Sequence, residues 1–288
     1  MLSLLARLAP LVIFARGSHR MFSSAERTQA RVDRLSVKPV DYQPPASVLK
    51  RVDIRHVEVD GKAVYVLSPK LGGSGKEALY LHGGSWVFEI DPVQWTFAAN
   101  LVEETGATIT VAIYRLAPHE TATQTTAFLV QLAASMVARS GAENSTVLGD
   151  SAGGTMALVT AMQLRDRGVG GIRTVLIAPL GDATFSAPEV AELAKDDPWL
   201  AVPGNALALD LYRGDLAIDD PRVSPINGDF AGLGPLTIFT GTRDLLNHDA
   251  HAIADAARAA GVPVDFHEGQ RMIHNYPILP MPEGVAAR

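Results

Sequence analysis

An α/β fold is predicted for this chain: an eight-stranded, mainly parallel sheet with helices on both faces and a small helical cap. Three observations carry that expectation. Short β-branched or aliphatic runs bounded by Gly, Pro and Asp recur along the sequence, and helix-capable stretches separate most of the later ones. Strands alternating with helices favour a parallel sheet covered on both faces. Finally, the strand-like Thr146-Val147-Leu148 passes into the helix-capable Thr155 to Met162 through Gly149-Asp150-Ser151-Ala152-Gly153. That junction is a sharp strand-to-helix turn, and its flanking glycines let the backbone make it.

Taken in order, residues 1–45 precede the alternation and read as an N-terminal arm, closed by the proline-bearing linker Lys38 to Pro45. Strands are expected at about 52–59, 62–68, 77–82 and 108–114, with a helix over 92–105. A helix over 121–139, a strand at 145–149, a helix over 152–168 and a strand at 173–178 follow. The segment 183–218 interrupts this rhythm with Pro188, Pro198, Trp199, Pro203 and the mixed run Ala206 to Tyr212, and reads as a cap insertion. The core then resumes over 219–288 with a strand at 235–241, a helix over 247–260 and a strand at 263–268. The core is therefore 46–182 plus 219–288, and the arm joins the insertion to form the cap.

Composition excludes several classes. With no cysteine, disulfides, thiolate catalysis and cysteine-ligated zinc are all ruled out. A formal net charge of −6 argues against a nucleic-acid surface, which needs a clustered basic face. No run of about 18 uninterrupted apolar residues suggests an integral membrane span. The first 25 residues carry Arg7, Arg16 and Arg20 and no acid, yet Arg7 interrupts their apolar run, unlike a secretory leader. A cytoplasmic protein is expected, with this segment packing as part of the cap. A weak membrane-surface contact or a targeting sequence is the alternative.

Ser151 on its turn would project Oγ clear of the sheet. A second glycine-rich stretch, His82-Gly83-Gly84-Ser85-Trp86, directly follows the apolar run Ala78 to Leu81. Such a loop offers backbone N–H groups to a tetrahedral oxyanion and lets them approach a reacting carbon closely. His82, Ser151, Asp244 and His274 all fall at or just past expected strand ends, which is where open α/β sheets bind ligands.

His82-Gly83-Gly84, Tyr114-Arg115-Leu116-Ala117-Pro118, Gly149 to Gly154, Asp220-Pro221-Arg222-Val223-Ser224-Pro225, Gly241 to Leu246 and Met272-Ile273-His274 occur in one order. In that order they resemble the hormone-sensitive-lipase-like branch of the α/β-hydrolases over roughly residues 50 to 278. The resemblance implies an α/β-hydrolase fold and serine-dependent cleavage of carboxylic esters without metal or organic cofactor. In that fold the triad runs Ser, acid, His along the chain. Of the eight histidines, His248, His251, His267 and His274 follow the serine, and only His274 sits in the loop beyond the last strand. The expected triad is Ser151, Asp244 and His274, with Asp249 the lesser candidate for the acid. Ala152, Gly84 and a neighbour, Gly83 or Ser85, are the expected oxyanion donors. The cluster His248-Asp249-x-His251 spaces its histidines by three rather than four and reads as helix surface, not a metal site.

Trp86, Trp199 and Tyr212 are the candidate substrate-binding aromatics of an apolar, size-limited pocket, with core packing the competing reading of each. Short acyl esters are the expected substrates. A long-chain lipase or an amide or N-acetyl hydrolase uses the same triad, and a non-catalytic ligand receptor on the same fold is the rival of another class. Three departures from the family pattern stand out: Ser85 replaces a third glycine, the turn Ala117-Pro118-His119-Glu120 lacks a proline-rich continuation, and only a short tail follows His274. That tail predicts an uncovered apolar patch, with either a homodimer over it or low stability.

Overall fold

The computed structural model describes residues 2–288; residue 1 of the expected arm lies outside them. The arm forms α1 (Leu4–Ala15), α2 (Ser18–Phe22) and α3 (Ala25–Val37), and the single turn α4 (Ala46–Leu49) opens the core. The strands are β1 (Asp53–Val59), β2 (Lys62–Ser68), β3 (Glu77–Leu81), β4 (Thr108–Ala112), β5 (Ser145–Asp150), β6 (Arg173–Ile177), β7 (Leu236–Arg243) and β8 (Val264–Ile273). Between and around them lie α5 (Pro92–Thr105), α6 (Ala122–Ser140), α7 (Ala152–Asp166), α8 (Pro188–Leu193), α9 (Val202–Arg213), α10 (Asn247–Ala259) and α11 (Pro282–Ala287).

The eight strands make one sheet in the order β1-β2-β4-β3-β5-β6-β7-β8, with β2 antiparallel to both neighbours and every later pairing parallel. Parallel strands covered on both faces read as continuous apolar runs. In β3, Leu79 and Leu81 face one core cluster with Val147 and Leu176, while Ala78 and Tyr80 face the other with Leu148 and Ile177. Helix α5 begins where its chemistry dictates. The Asp91 carboxylate accepts from the N–H groups of Val93 and Gln94, the Gln94 side chain accepts from the Asp91 N–H, and Pro92 opens the first turn. Gly106 in the left-handed region ends it.

The arm and the 183–218 segment meet over the strands' carboxyl ends. Helix α3 packs along α9, and α2 approaches α9 so closely that a Cβ at Gly204 would lie 2.6 Å from the Phe22 Cα. Helix α1 instead runs to the far end of the chain and continues through the buried Pro10. Its Ala6 packs with Met272, Tyr276 and Met281, and Ser3 donates its N–H and Oγ–H to the Glu283 carboxylate at 2.6 and 2.8 Å.

The tail after His274 is therefore not bare. It carries α11, and α1 lies against it. A groove of about 350 Å³ stays open beside them on the sheet face, lined by Phe97, Leu148, Ile177 and Phe239.

Candidate active site

The paired ends of neighbouring strands bring the distant polar residues together. Gly241 pairs with Gly269, but the next pairing joins Arg243 to Ile273, an irregularity that takes up two extra residues of β8. Without it Arg243 would face Arg271. With it, the residues that follow the two partners, Asp244 and His274, leave the sheet side by side. His274 Nδ1 lies 3.0 Å from both Asp244 carboxylate oxygens, and both side chains are buried. A carboxylate only accepts, so Nδ1 carries the proton and Nε2 keeps its lone pair. The Asp244 Oδ1 also accepts from the Leu246 N–H at 2.9 Å.

Ser151 follows β5 with φ 55° and ψ −123°, a strained conformation for a residue with a Cβ, and its N–H is held by the Ile177 carbonyl at 2.7 Å. The flanking glycines are there for room rather than for dihedral freedom. A Cβ on Gly149 would strike the Gly153 carbonyl, and one on Gly153 would strike the Leu81 carbonyl. Ser151, His274, Gly84, Ser85, Phe88 and Trp199 line one cavity of about 480 Å³ between the rim and the cap. No hydrogen bond joins the serine hydroxyl to the imidazole among the described residues. Such bonds commonly tighten only when substrate is bound.

Asp150, fully buried beside the serine, accepts from four donors: Tyr80 Oη at 2.6 Å, Asn275 Nδ2 at 2.8 Å, and Gln94 Nε2 and the Gly83 N–H at 3.0 Å. Burial pushes its carboxyl up, opposed by those bonds. One carboxylate thus ties the glycine loop, α5 and the loop of His274 to the serine turn. Asp197 of the cap makes a similar bridge. It accepts from the N–H groups of Trp199 and Leu200 and, through its other oxygen, from the N–H of Leu245 at 2.7 Å. Burial, and then the nearby Asp244, raise its carboxyl to about 6. Burial pulls His274 down, but the charge and hydrogen bond of Asp244, with Asp197 and Asp150 behind, overcome this and leave it above its ordinary value.

Residues 78–278 match the model of a family described by its alpha/beta hydrolase fold, well over half the chain. The chain belongs to the α/β hydrolase family. Among its relatives is an acetyl-hydrolase of Streptomyces hygroscopicus, 31% identical over 221 residues, covering 72% of this chain and 71% of that protein. A triacylglycerol lipase of Mycobacterium tuberculosis is 28% identical over 227 residues, covering 78% of this chain but only 47% of the lipase. The chain thus spans about half the length of that relative. A solved esterase of the bacterial hormone-sensitive lipase family superposes with a TM-score of 0.82 at 24% identity, covering 99% of this chain and 95% of that one. At that identity the likeness speaks for the fold.

In this α/β hydrolase not every residue singled out from the sequence reaches the cavity. Trp199 does, and its ring stands edge-on to His274 at 5.6 Å. Trp86 and Tyr212 do not. They stack on each other at 4.9 Å where α9 of the cap meets the core, both nearly inaccessible, and their expected substrate contacts are corrected to packing. Ser85 and Trp86 both adopt positive φ. The Gly83 N–H is committed to Asp150, so Gly83 is withdrawn as an oxyanion donor. Ser85 sends its hydroxyl not to the pocket but to Asn205 Oδ1 of α9 at 2.9 Å.

Asp249, the lesser acid candidate, accepts from the N–H groups of Gly181 and Asp182, with its carboxyl raised by burial to about 6. His251 pairs with Glu268 and His248 approaches Glu189, and no group of three metal-ligating side chains occurs among the described residues. Asp197, Asn205 and Asn275 escaped the sequence reading. Their partners lie far along the chain, and no local pattern marks them.

Proposed function

We propose that this chain hydrolyses carboxylic esters by acyl transfer through Ser151. The observation that carries the reading is the buried His274–Asp244 pair, its proton held at Nδ1, facing the same cavity as a serine on a strained strand-to-helix turn. A serine at its free pKa is a weak nucleophile and needs such a base. His274 Nε2 takes the hydroxyl proton as Oγ attacks the ester carbonyl, and Asp244 stabilises the resulting imidazolium. The N–H groups of Ala152, Gly84 and Ser85 hold the oxyanion, each such donor being typically worth ~10²–10³ in rate. The tetrahedral intermediate collapses as the imidazolium hands its proton to the leaving alcohol. Water then repeats the sequence on the acyl-enzyme, releasing the acid and regenerating the serine.

Short acyl groups are the proposed substrates. Support comes from a cavity walled by Phe22, Phe88 and Trp199 and roofed by the cap, and from the acetyl-hydrolase and esterase names of relatives. A chain-length series of p-nitrophenyl esters tests this: rates should peak at short acyl chains, and Ser151→Ala should lose on the order of 10⁶ in turnover. A peak at long chains would move the assignment to a lipase. Activity of wild type no greater than that of Ser151→Ala would leave a non-catalytic receptor. A homodimer and a cytoplasmic location are carried only as proposals from the sequence, and a one-chain mass by light scattering would remove the first.

A further inference from the structure

Helix α1 is inverted for a surface helix. Its inner side holds the buried Ala6 and Pro10, whereas Leu4, Leu5, Leu8, Leu11, Val12 and Phe14 are between 42% and 70% exposed. Leu4, Leu8 and Leu11 stand at i, i+4 and i+7, one stripe along the outer face. A surface helix normally turns such a stripe inward. Twelve residues make a helix about 18 Å long, and no helix among the described residues is long and apolar enough to cross a membrane. A short helix with an apolar outer face instead suits the plane of a bilayer interface.

A second observation adjoins it. Where α1 ends, a cavity of about 550 Å³ is lined by Arg16, Arg20, Arg27, Arg31 and Arg34. Arg27, Arg31 and Arg34 share one face of α3, again at i, i+4 and i+7. None of the five lies within ion-pair distance of a carboxylate among the described residues, whereas Arg139, Arg165, Arg213, Arg222 and Arg243 elsewhere each hold an acid. Arg27 Nη1 is spent on the Arg20 carbonyl and Ser23 Oγ. In a chain of net charge −6, five guanidinium groups without counter-ions mark a site for an external anion. The first acid of the sequence is Glu26.

We propose that this arm is a docking surface for anionic lipid bilayers. The leucine stripe of α1 enters the boundary between headgroups and acyl chains, and the arginine cavity takes lipid phosphates. Apolar burial and charge attraction are the two terms that hold interfacial helices, and both occur here on contiguous elements. The arrangement also gives the docked enzyme an orientation. Ser18, Met21 and Arg31, which line the arginine cavity, line the reaction cavity as well, so that cavity would adjoin the lipid surface.

Co-sedimentation of the full chain with vesicles tests this. Wild type should pellet with phosphatidylcholine–phosphatidylglycerol vesicles, less with phosphatidylcholine alone, and less as salt rises. A basic side chain near an anionic surface is worth about fivefold in partitioning, so Arg16→Ser/Arg20→Ser/Arg27→Ser together should weaken binding roughly a hundredfold. Leu8→Gln/Leu11→Gln should weaken binding to both vesicle types. None of these residues lines the reaction cavity, so hydrolysis of a soluble short ester should stay at the wild-type rate and reports that the variants are folded. Wild type left in the supernatant with anionic vesicles would overturn the proposal, as would either variant pelleting like wild type. So would a dimer that the leucine variant dissociates without any vesicle binding, which would assign the stripe to self-contact.

Discussion

The rim of the reaction cavity and the cap above it are held by different forces. On the rim, Asp150 gathers four donors, His274 shares its Nδ1 proton with both oxygens of Asp244, and Gly149 and Gly153 admit backbone contacts that leave no room for a methyl group. The cap rests on side-chain packing: Trp86 on Tyr212, Phe22 against Phe88, α3 along α9. Directional bonds fix a reacting group to within a few tenths of an ångström, whereas apolar packing fixes volume and tolerates small shifts. Polar links cross between the two at Ser85–Asn205 and at Asp197–Leu245. The division suits a site whose nucleophile must be held still while its roof admits a substrate.

Truncations on the two sides break or support that contrast. Asp150→Ala would leave four donors without an acceptor, each costing about 1–3 kcal/mol when buried. We expect a loss of several kcal/mol by denaturant unfolding and, in whatever remains folded, a further fall in turnover. Trp86→Ala should cost about 3–5 kcal/mol in the same melts, as for a large core side chain, while turnover of the folded fraction stays near wild type. Equal losses of turnover in the two variants would end the distinction.

The Asp197 bridge makes a finer test. His274 must be neutral to accept the serine proton, so activity should fall as pH drops through its titration, and that titration lies above the ordinary histidine value. Asp197 is one of the charges holding it there. Asp197→Asn should therefore move the acidic limb of kcat/KM to lower pH. An unmoved limb would reduce Asp197 to a tie between cap and loop. The sign for stability runs the other way. A histidine raised in the folded state stabilises below its unfolded pKa, and this contribution is lost as pH rises through its folded value.

The rim was legible in the sequence because local rules write it. Buried parallel strands leave apolar runs, and β3 to β6 stand where those runs are, whereas β8 continues past its expected end at 268 to Ile273. The serine turn needs its glycines within five residues. The cap obeys no such rule. Prolines and mixed polarity between 183 and 218 blur the bounds of α8 and α9, whose places depend on packing against distant elements, α10 for α8 and α2, α3 and α6 for α9. Trp86 was expected with Trp199 and Tyr212 to line an apolar pocket, and only the fold shows it stacked on Tyr212 and buried. Asp150 and Asn275 are 125 positions apart, and Asp197 and Leu245 are 48 apart, so no window along the chain could join them. The inverted face of α1 was visible only as an acid-poor apolar run, and its direction required the fold.

Reaction of the native protein with a fluorophosphonate probe, followed by peptide mass analysis, puts the acyl-transfer account to its most direct test. The account predicts one adduct, on the peptide bearing Ser151, that fades as pH falls through the His274 titration and is absent from Ser151→Ala. A native protein that takes no label, or a Ser151→Ala variant that labels as fast as wild type, would contradict it.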